Sequence, residues 1–151
     1  DLITEDTLPG TPTYMKYKIH ADANSLYNTP NAYCIYMCGK VFKWIQRMGG
    51  LEAMKARNEE KASLLYNFLD ESRLFRGTVR KEDRSWMNVP FVTGDAQTDA
   101  EFVKAAAEAG LVNLKGHRSV GGMRASIYNA MPKEGVEQLV AFMKKFEAEN
   151  Q

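Results

Sequence analysis

The chain has 151 residues, of which 44% are hydrophobic and 26% charged, and this composition excludes an intrinsically disordered protein. Twenty basic and nineteen acidic residues give a net charge of +1, so we expect neither a nucleic acid nor a membrane as a partner. Charged or polar residues also interrupt each apolar stretch well before the roughly 20 residues that a membrane span needs, which favours a cytoplasmic protein.

The opening of the chain is polar and rich in turns. It starts at Asp1 without Met and contains Pro9 and Pro12, which we interpret as a connection entered from sequence further upstream. Residues 13–20 alternate loosely between polar and apolar side chains and predict a short strand, whereas residues 21–30 predict a loop.

Two helices follow, separated by the pair Gly49-Gly50. Apolar residues at helical spacing predict a first, largely buried helix over residues 31–48 and a second helix over residues 51–69. The second helix has an apolar inner face and a charged outer face. The inner face contains Met54, Ala62, Leu65, Phe68 and Leu69, and the outer face contains Lys55, Arg57, Glu59, Glu60 and Lys61.

The cysteines do not predict a metal site. Cys34 and Cys38 lie four residues apart, so they share one helix face without the geometry of a structural disulfide. The two histidines, His20 and His117, are far away in the sequence. We therefore interpret both cysteines as small core residues in a reducing compartment, and we expect no metal ion.

The remaining segments alternate between strand and helix patterns, which predicts an α/β fold with a domain boundary at the glycine pair, between residues 1–50 and 51–151. Pro90 favours an edge position or a bulge for its strand, and Thr98 is expected to cap the next helix. Strands are predicted over residues 85–93, 111–114 and 125–128, and helices over residues 99–109 and 133–149.

The segment from Lys115 to Arg124 is the best candidate for a functional site. It combines three glycines with His117, Arg118 and Arg124, and guanidinium forks of this kind suit phosphate or carboxylate groups. It matches neither a P-loop nor a dinucleotide-binding fingerprint. An ordinary turn, in which both arginines form ion pairs with neighbouring carboxylates, explains the same residues.

A second candidate lies at the entrance of the first long helix. Asn28 and Thr29 precede a helix N-terminus, where free backbone amides and the positive end of the helix dipole favour a phosphate group. The same residue types are also ordinary helix caps, so this pattern alone leaves both interpretations open.

Together these segments resemble the phosphoserine aminotransferase family. Residues 27–30, Tyr-Asn-Thr-Pro, are similar to a stretch that opens a helix in that family, and residues 116–130, GHRSVGGMRASIYNA, are similar to its C-terminal signature without a break. Residues 41–44 and 87–91 are similar as well, so the resemblance covers the whole chain. It implies a fold-type-I enzyme: the end of a large cofactor-binding domain, then a small C-terminal α/β domain with a mixed or antiparallel sheet packed against helices.

The resemblance also implies a role for each candidate residue. Asn28 and Thr29 would contact the phosphate group of pyridoxal 5'-phosphate in the neighbouring subunit of a homodimer. Arg124 would bind the substrate α-carboxylate, while His117 and Arg118 would bind the distal anion of phosphoserine, glutamate or 2-oxoglutarate. No lysine of the chain matches the family's Schiff-base lysine. We therefore expect that catalytic residue upstream and no transamination by the isolated chain.

Two functions from different classes follow. The resemblance implies transfer of an amino group between 3-phosphoserine with 2-oxoglutarate and 3-phosphohydroxypyruvate with glutamate, in the biosynthesis of serine and pyridoxal phosphate. The alternative is a stand-alone anion-binding or regulatory module without catalysis. A lysine shortly before Asp1, after an apolar strand, would favour the enzyme.

Overall fold

The computed structural model describes residues 3–150 and divides into two compact units, residues 1–44 and 45–151. Within the described residues, no helix has both the length and the apolar character needed to cross a membrane. The same part of the chain contains no group of three or more His, Cys, Asp or Glu side chains placed to hold a metal ion.

The first unit begins with a short 3-10 turn and a helix in place of the predicted strand. The turn spans Thr13–Met15 and helix α1 spans Tyr17–Asp22, so the prediction of a strand over residues 13–20 is wrong. An ion pair between Lys18 and Asp22, one helical turn apart, favours the helix. A loose alternation over eight residues is too weak a signal to outweigh such local contacts.

Helix α2 spans Ala32–Arg47, close to the predicted residues 31–48, but the prediction that it is largely buried is wrong. None of its residues is buried, and Tyr33 and Phe42 are 72% and 63% exposed. Residues 3–44 contain no buried side chain, so this unit offers no core against which the helix can pack.

Apolar side chains of α2 therefore form an exposed surface. This α2 surface consists of Tyr33, Ile35, Tyr36, Met37, Val41 and Phe42. Cys34 and Cys38 lie on the same helix as exposed, free thiols, so the prediction that they are core residues is wrong. At 3.6 residues per turn these side chains lie on more than one side of the helix, and a helix that is apolar on several sides is normally buried against other parts of a protein.

The second unit contains a small antiparallel sheet with helices packed on one face. The sheet has the strand order β1-β2-β3, and the strands span Arg76–Gly77 (β1), Asn88–Val92 (β2) and Met123–Ser126 (β3). The helices span Gly50–Glu71 (α3), Ala96–Glu108 (α4) and Lys133–Glu149 (α5), and a 3-10 turn spans Lys81–Asp83. The predicted sheet packed with helices is confirmed, and α5 has the predicted bounds.

Phenylalanine rings from both layers form the centre of the core. Phe91 of β2 lies 6.1 Å from Phe102 of α4, and Phe102 lies 5.2 Å from Phe146 of α5, measured between ring centroids. Burial of each such side chain contributes about 1.5–3 kcal/mol. The apolar face predicted for α3 is confirmed, since Met54, Ala62, Leu65, Phe68 and Leu69 are buried. On α5, Val136, Leu139, Met143 and Phe146 are buried, and Val140 and Phe142 are partly buried.

Strand β2 is the central strand, so the predicted edge position of Pro90 is wrong. In an antiparallel sheet, the N–H and C=O groups of one residue both point to the same neighbouring strand, and those of the next residue point to the strand on the other side. The Pro90 carbonyl accepts a hydrogen bond from the Thr78 amide at 3.3 Å on the β1 side, so the proline nitrogen faces that side as well. Because β1 ends at Gly77, the missing N–H falls just beyond the paired region.

Two boundaries near the glycine-rich segment also differ from the prediction. Helix α4 starts earlier than expected, and its N-cap is Asp95 rather than Thr98, because the Asp95 carboxylate accepts from the Thr98 amide at 2.8 Å. Residues 111–114 do not form the predicted strand. Only Lys115 makes an isolated bridge there, to Met123, which begins β3 earlier than expected.

Helix α3 carries two polar side chains on its buried face, Asn58 and Lys61, each 3% exposed. The prediction that Lys61 lies on the outer face is therefore wrong. Its ammonium group donates to the backbone carbonyls of Ile127, Tyr128 and Met131 at 3.2, 2.8 and 2.9 Å. Burial, and then repulsion from a nearby arginine, lowers the pKa of Lys61. This lysine fastens the segment after β3 to α3.

An ion network ties the end of α3 to the residues before β2. Arg84 donates to both carboxylate oxygens of Asp70, at 3.0 and 2.5 Å, and Lys81 lies 2.9 Å from the same carboxylate. The Arg84 guanidinium also lies over the Tyr66 ring, 4.5 Å from its centroid. The hydrogen bonds from Arg84, and then from Lys81, hold the pKa of Asp70 well below its usual value.

Removal of this carboxylate should make stability less dependent on pH. A carboxylate whose pKa is lowered by folding stabilises the protein fully above its unfolded pKa of about 3.9, and loses that contribution as the pH falls towards the folded pKa. We expect Asp70→Asn to lower the free energy of unfolding by about 1 kcal/mol at pH 7, because the network is partly solvated. In urea unfolding, the difference from the unsubstituted chain should shrink below about pH 4; a difference that stays constant from neutral to acidic pH would contradict this account.

Candidate anion-binding site

The glycine-rich segment forms a closed loop between Gly116 and Gly122, called here the glycine loop. The Gly116 amide donates to the Gly122 carbonyl at 2.9 Å and closes the base of the loop. Within it, the amides of Val120 and Gly121 both donate to the His117 carbonyl, at 2.9 and 2.8 Å. The backbone of the loop is thus held by its own hydrogen bonds, and its side chains are exposed.

Close packing requires glycine at both ends of this loop. A Cβ atom on Gly116 would lie 2.1 Å from the Gly121 carbonyl oxygen, far inside any contact distance. Gly122 has φ 62°, and a Cβ atom there would lie 2.6 Å from a side-chain carbon of Val92. Any larger residue at either position would force the loop open.

The imidazole of His117 is oriented by its own loop. Its Nδ1 atom lies 2.7 Å from the Ser119 hydroxyl and 3.3 Å from the Ser119 amide. Because an amide only donates, Nδ1 accepts, and the neutral ring carries its proton on Nε2. His117 is exposed, so that N–H is accessible to an acceptor outside the loop.

His117 and Arg118 line a groove of about 560 Å³ between the glycine loop and α4, called here the α4 groove. Lys104 and Lys115 line the same groove. Lys115 pairs with Met123 across the bridge, so its side chain projects from the same face of the sheet as Met123. Helix α4 packs against that face. Four groups that are cationic or can become so therefore meet in one groove.

Arg124 lies on the opposite face of the sheet. It pairs with Pro90, and the neighbouring pair, Phe91 with Met123, faces the helices. Arg124 lines a second groove, of about 440 Å³, along β3 and α5. Of the three residues predicted in this segment, the structure brings His117 and Arg118 together and places Arg124 separately.

Polar side chains lie on the same face of the sheet as Arg124. The hydroxyl groups of Ser126 and Tyr128 both donate to the Asn88 side-chain oxygen, at 3.2 and 3.3 Å. Asn88 pairs with Ser126 on the face of the sheet that carries Arg124. Sequence reasoning missed this cluster, although the spacing of two residues between Arg124, Ser126 and Tyr128 is the signal of a shared strand face.

Neither arginine of the candidate site forms an ion pair. Among residues 3–150, no carboxylate lies within 4.0 Å of Arg118 or Arg124, whereas Arg80 and Arg84 both have such partners. The buried Nε atom of Arg124 has no hydrogen-bond partner in this part of the chain. The interpretation as an ordinary turn with ion-paired arginines therefore has no support, and both guanidinium groups are available to an anion.

Asn28 and Thr29 belong to the first unit and lie in the bend that leads into α2, where both are exposed. The cap of this helix is made by Asn31, whose side-chain oxygen accepts from the Cys34 amide at 3.2 Å. Neither Asn28 nor Thr29 is needed for that cap, so their side chains are accessible to a ligand.

Comparison with known proteins identifies the family. The family model described as aminotransferase class-V matches residues 7–139. The chain belongs to the class-V aminotransferases. The phosphoserine aminotransferase of Streptococcus agalactiae is 52% identical to it over 153 residues, which cover 99% of this chain and 42% of that protein. The phosphoserine aminotransferase of Laribacter hongkongensis is 59% identical over 141 residues, covering 93% and 39%. This class-V aminotransferase chain thus spans about two fifths of the length of the curated relatives it matches.

Solved phosphoserine aminotransferases share the fold of this class-V aminotransferase chain. The enzyme from Bacillus circulans subsp. alkalophilus matches with a TM-score of 0.86 and 48% identity, over 93% of this chain and 39% of the other. The pyridoxal-phosphate-bound enzyme from Trichomonas vaginalis matches with a TM-score of 0.82 and 43% identity, over 92% and 40%. The predicted family and its fold-type-I α/β fold are therefore confirmed.

Proposed function

We propose that this chain is the C-terminal part of a phosphoserine aminotransferase. Residues 1–50 would end the large domain and residues 51–151 would form the small domain. The full-length enzyme would transfer an amino group between 3-phosphoserine with 2-oxoglutarate and 3-phosphohydroxypyruvate with glutamate. The observation that carries the proposal is that Arg118 and Arg124, both inside the signature-like segment 116–130, have no carboxylate partner among the described residues.

Arg124 would bind the part that all four substrates share. Each substrate has an α-carboxylate, and a planar guanidinium fork binds a carboxylate through two parallel hydrogen bonds. The strand β3 is paired with β2 in a continuous ladder, so the backbone that carries Arg124 is held rigidly. A fixed fork of this kind orients the substrate at the reacting carbon.

His117 and Arg118 would bind the part that differs, a phosphate in one pair of substrates and a carboxylate in the other. Because Arg124 lies on the opposite face of the sheet, they would do so in the active site of the other subunit of the proposed homodimer. Arg118 supplies a permanent charge, and the Nε2 proton of His117 supplies a donor whose direction Ser119 fixes. The exposed Arg118 side chain can adapt to small differences in ligand size, because it has several rotatable bonds. This matches a site that must accept two distal anions.

Asn28 and Thr29 fit the phosphate group of pyridoxal 5'-phosphate. Their amide and hydroxyl donors are exposed just before the N-terminus of the 16-residue helix α2, whose positive dipole end favours an anion. When bound, the cofactor supplies the electron sink that makes the α-proton of the substrate removable. We assign the lysine that holds the cofactor to the upstream part of the enzyme, so this chain contributes binding and orientation.

The α2 surface supports assembly into a homodimer with shared active sites. An apolar helix without any buried residue needs a cover, and the missing part of the large domain together with a second subunit would provide it. In this arrangement Asn28 and Thr29 would serve the cofactor of the neighbouring subunit. The same enzyme would work in the cytoplasm and would also accept the related four-carbon phosphorylated substrate of pyridoxal phosphate synthesis.

The test of this function is steady-state kinetics of the full-length enzyme with Arg118→Ala. Loss of one charge-assisted contact of about 1.5–3 kcal/mol should raise KM about 10- to 100-fold for both phosphoserine and glutamate, since both carry a distal anion. Arg73→Ala, at an exposed position on another loop, is the matched control and should leave KM unchanged. Unchanged KM values for Arg118→Ala would contradict the assignment, and a full-length protein without transaminase activity would favour the stand-alone anion-binding module.

A further inference from the structure

The α4 groove is open because small residues form its walls. On one side α4 presents the methyl groups of Ala96, Ala100 and Ala107 and the short side chain of Val103, and on the other side the glycine loop presents backbone. The charged side chains Lys104, Lys115 and Arg118 therefore surround a space of about 560 Å³ that no large side chain fills. The positive charges around this space favour a small ligand that carries negative charge.

The charge balance of the α4 groove is positive. Lys104, Lys115 and Arg118 contribute three positive charges, and Asp99 contributes one negative charge, which leaves a net charge of +2 with His117 neutral. Asp99 is already engaged, because one of its oxygens accepts from the amide and the hydroxyl of Thr93 at 2.8 Å each. Among residues 3–150, neither lysine lies within 4.0 Å of a carboxylate.

We propose that Lys104 and Lys115 are specificity-determining residues that make the α4 groove prefer a phosphate monoester dianion to a carboxylate. This inference rests on the proposed function and extends its distal anion site by two residues. A phosphate monoester carries a charge of about −1.5 to −2 at pH 7 and three acceptor oxygens, whereas a carboxylate carries one charge and two. His117 and Arg118 can satisfy a carboxylate between them. The two lysines supply the additional charge and donors that only a phosphate uses.

Long lysine side chains suit this role. Lys104 and Lys115 are both exposed, so their ammonium groups are hydrated and mobile until a ligand orders them. Ordering costs side-chain entropy, and only the larger charge of a phosphate offsets that cost clearly. The same lysines therefore change carboxylate binding little, and the enzyme retains glutamate as its amino donor.

The experiment is the double substitution Lys104→Met with Lys115→Met in the full-length enzyme. Calorimetry should show a Kd for O-phosphoserine that is about fivefold higher or more, which corresponds to about 1 kcal/mol. The Kd for glutamate should change less than twofold. Values of kcat/KM for the two substrates should change in the same ratio. The matched control is Lys144→Met with Lys145→Met, which removes two exposed positive charges of α5 and should leave both affinities unchanged.

A steric variant tests the same groove without changing its charge. Ala100→Leu adds volume to the α4 wall and should weaken phosphoserine binding more than glutamate binding, because the phosphate is the larger group. If the wild-type enzyme does not transaminate phosphoserine, the proposed function fails. If it does, but the double lysine variant keeps the wild-type ratio of phosphoserine to glutamate affinity, only the present inference is overturned.

Discussion

Arg124→Ala in the full-length enzyme should lower kcat/KM about 100-fold or more for phosphoserine and glutamate alike. Two charge-assisted hydrogen bonds to the α-carboxylate are lost, each contributing about 1.5–3 kcal/mol, and each 1.4 kcal/mol corresponds to a factor of ten. The effect should be the same for every substrate, because the α-carboxylate is common to all of them. Steady-state kinetics with both amino donors measures it.

Arg124→Lys and Arg80→Ala provide the controls for this prediction. Lysine keeps the charge but loses the planar fork, so it should restore only part of the activity. Arg80 is an exposed arginine that pairs with Asp83 on the surface, and its removal should change kcat/KM by less than a factor of two. An Arg124→Ala enzyme that retains more than half of the wild-type kcat/KM would show that the α-carboxylate binds elsewhere.

The second large effect is expected at Lys61. Lys61→Met should lower the free energy of unfolding by about 3 kcal/mol, because the carbonyls of Ile127, Tyr128 and Met131 lose their donor, at about 1–3 kcal/mol for each acceptor left unsatisfied. Methionine keeps much of the length and the apolar stem, so the substitution removes mainly the ammonium group. Urea unfolding followed by far-UV circular dichroism measures the change.

The control is Lys55→Met, on the exposed face of the same helix, which should change stability by no more than about 0.5 kcal/mol. The opposing contribution is the desolvation of the buried ammonium group, which lowers the pKa of Lys61. If desolvation outweighed the three hydrogen bonds, Lys61→Met would be as stable as the wild type or more stable. That outcome would contradict the assigned role.

Local sequence signals predicted the helices of the second unit well. The bounds of α5 and the buried face of α3 follow from apolar residues at a spacing of 3.6, which tertiary contacts then confirm rather than alter. The glycine loop was also visible in the sequence, because three glycines lie among basic residues within residues 115–124. These features depend on residues close together in the chain.

Several of the errors have a common cause, since they depend on contacts between distant parts of the chain. The burial of Lys61 is set by carbonyls more than 60 residues away, and the central position of Pro90 depends on β1, a strand of two residues. The face that Arg124 occupies is likewise fixed by pairing register, because a shift of one residue moves a strand side chain to the other face. Sequence spacing alone does not contain that register.

A crystal structure of the full-length enzyme with O-phosphoserine bound tests most directly whether Arg124 and the glycine loop bind the two anionic groups of the substrate. We expect the α-carboxylate within about 3 Å of the Arg124 guanidinium. We expect the phosphate group within about 3 Å of the His117 Nε2 or the Arg118 guanidinium in the glycine loop of one subunit. A fully occupied phosphoserine that contacts neither Arg124 nor the glycine loop of either subunit would contradict both expectations.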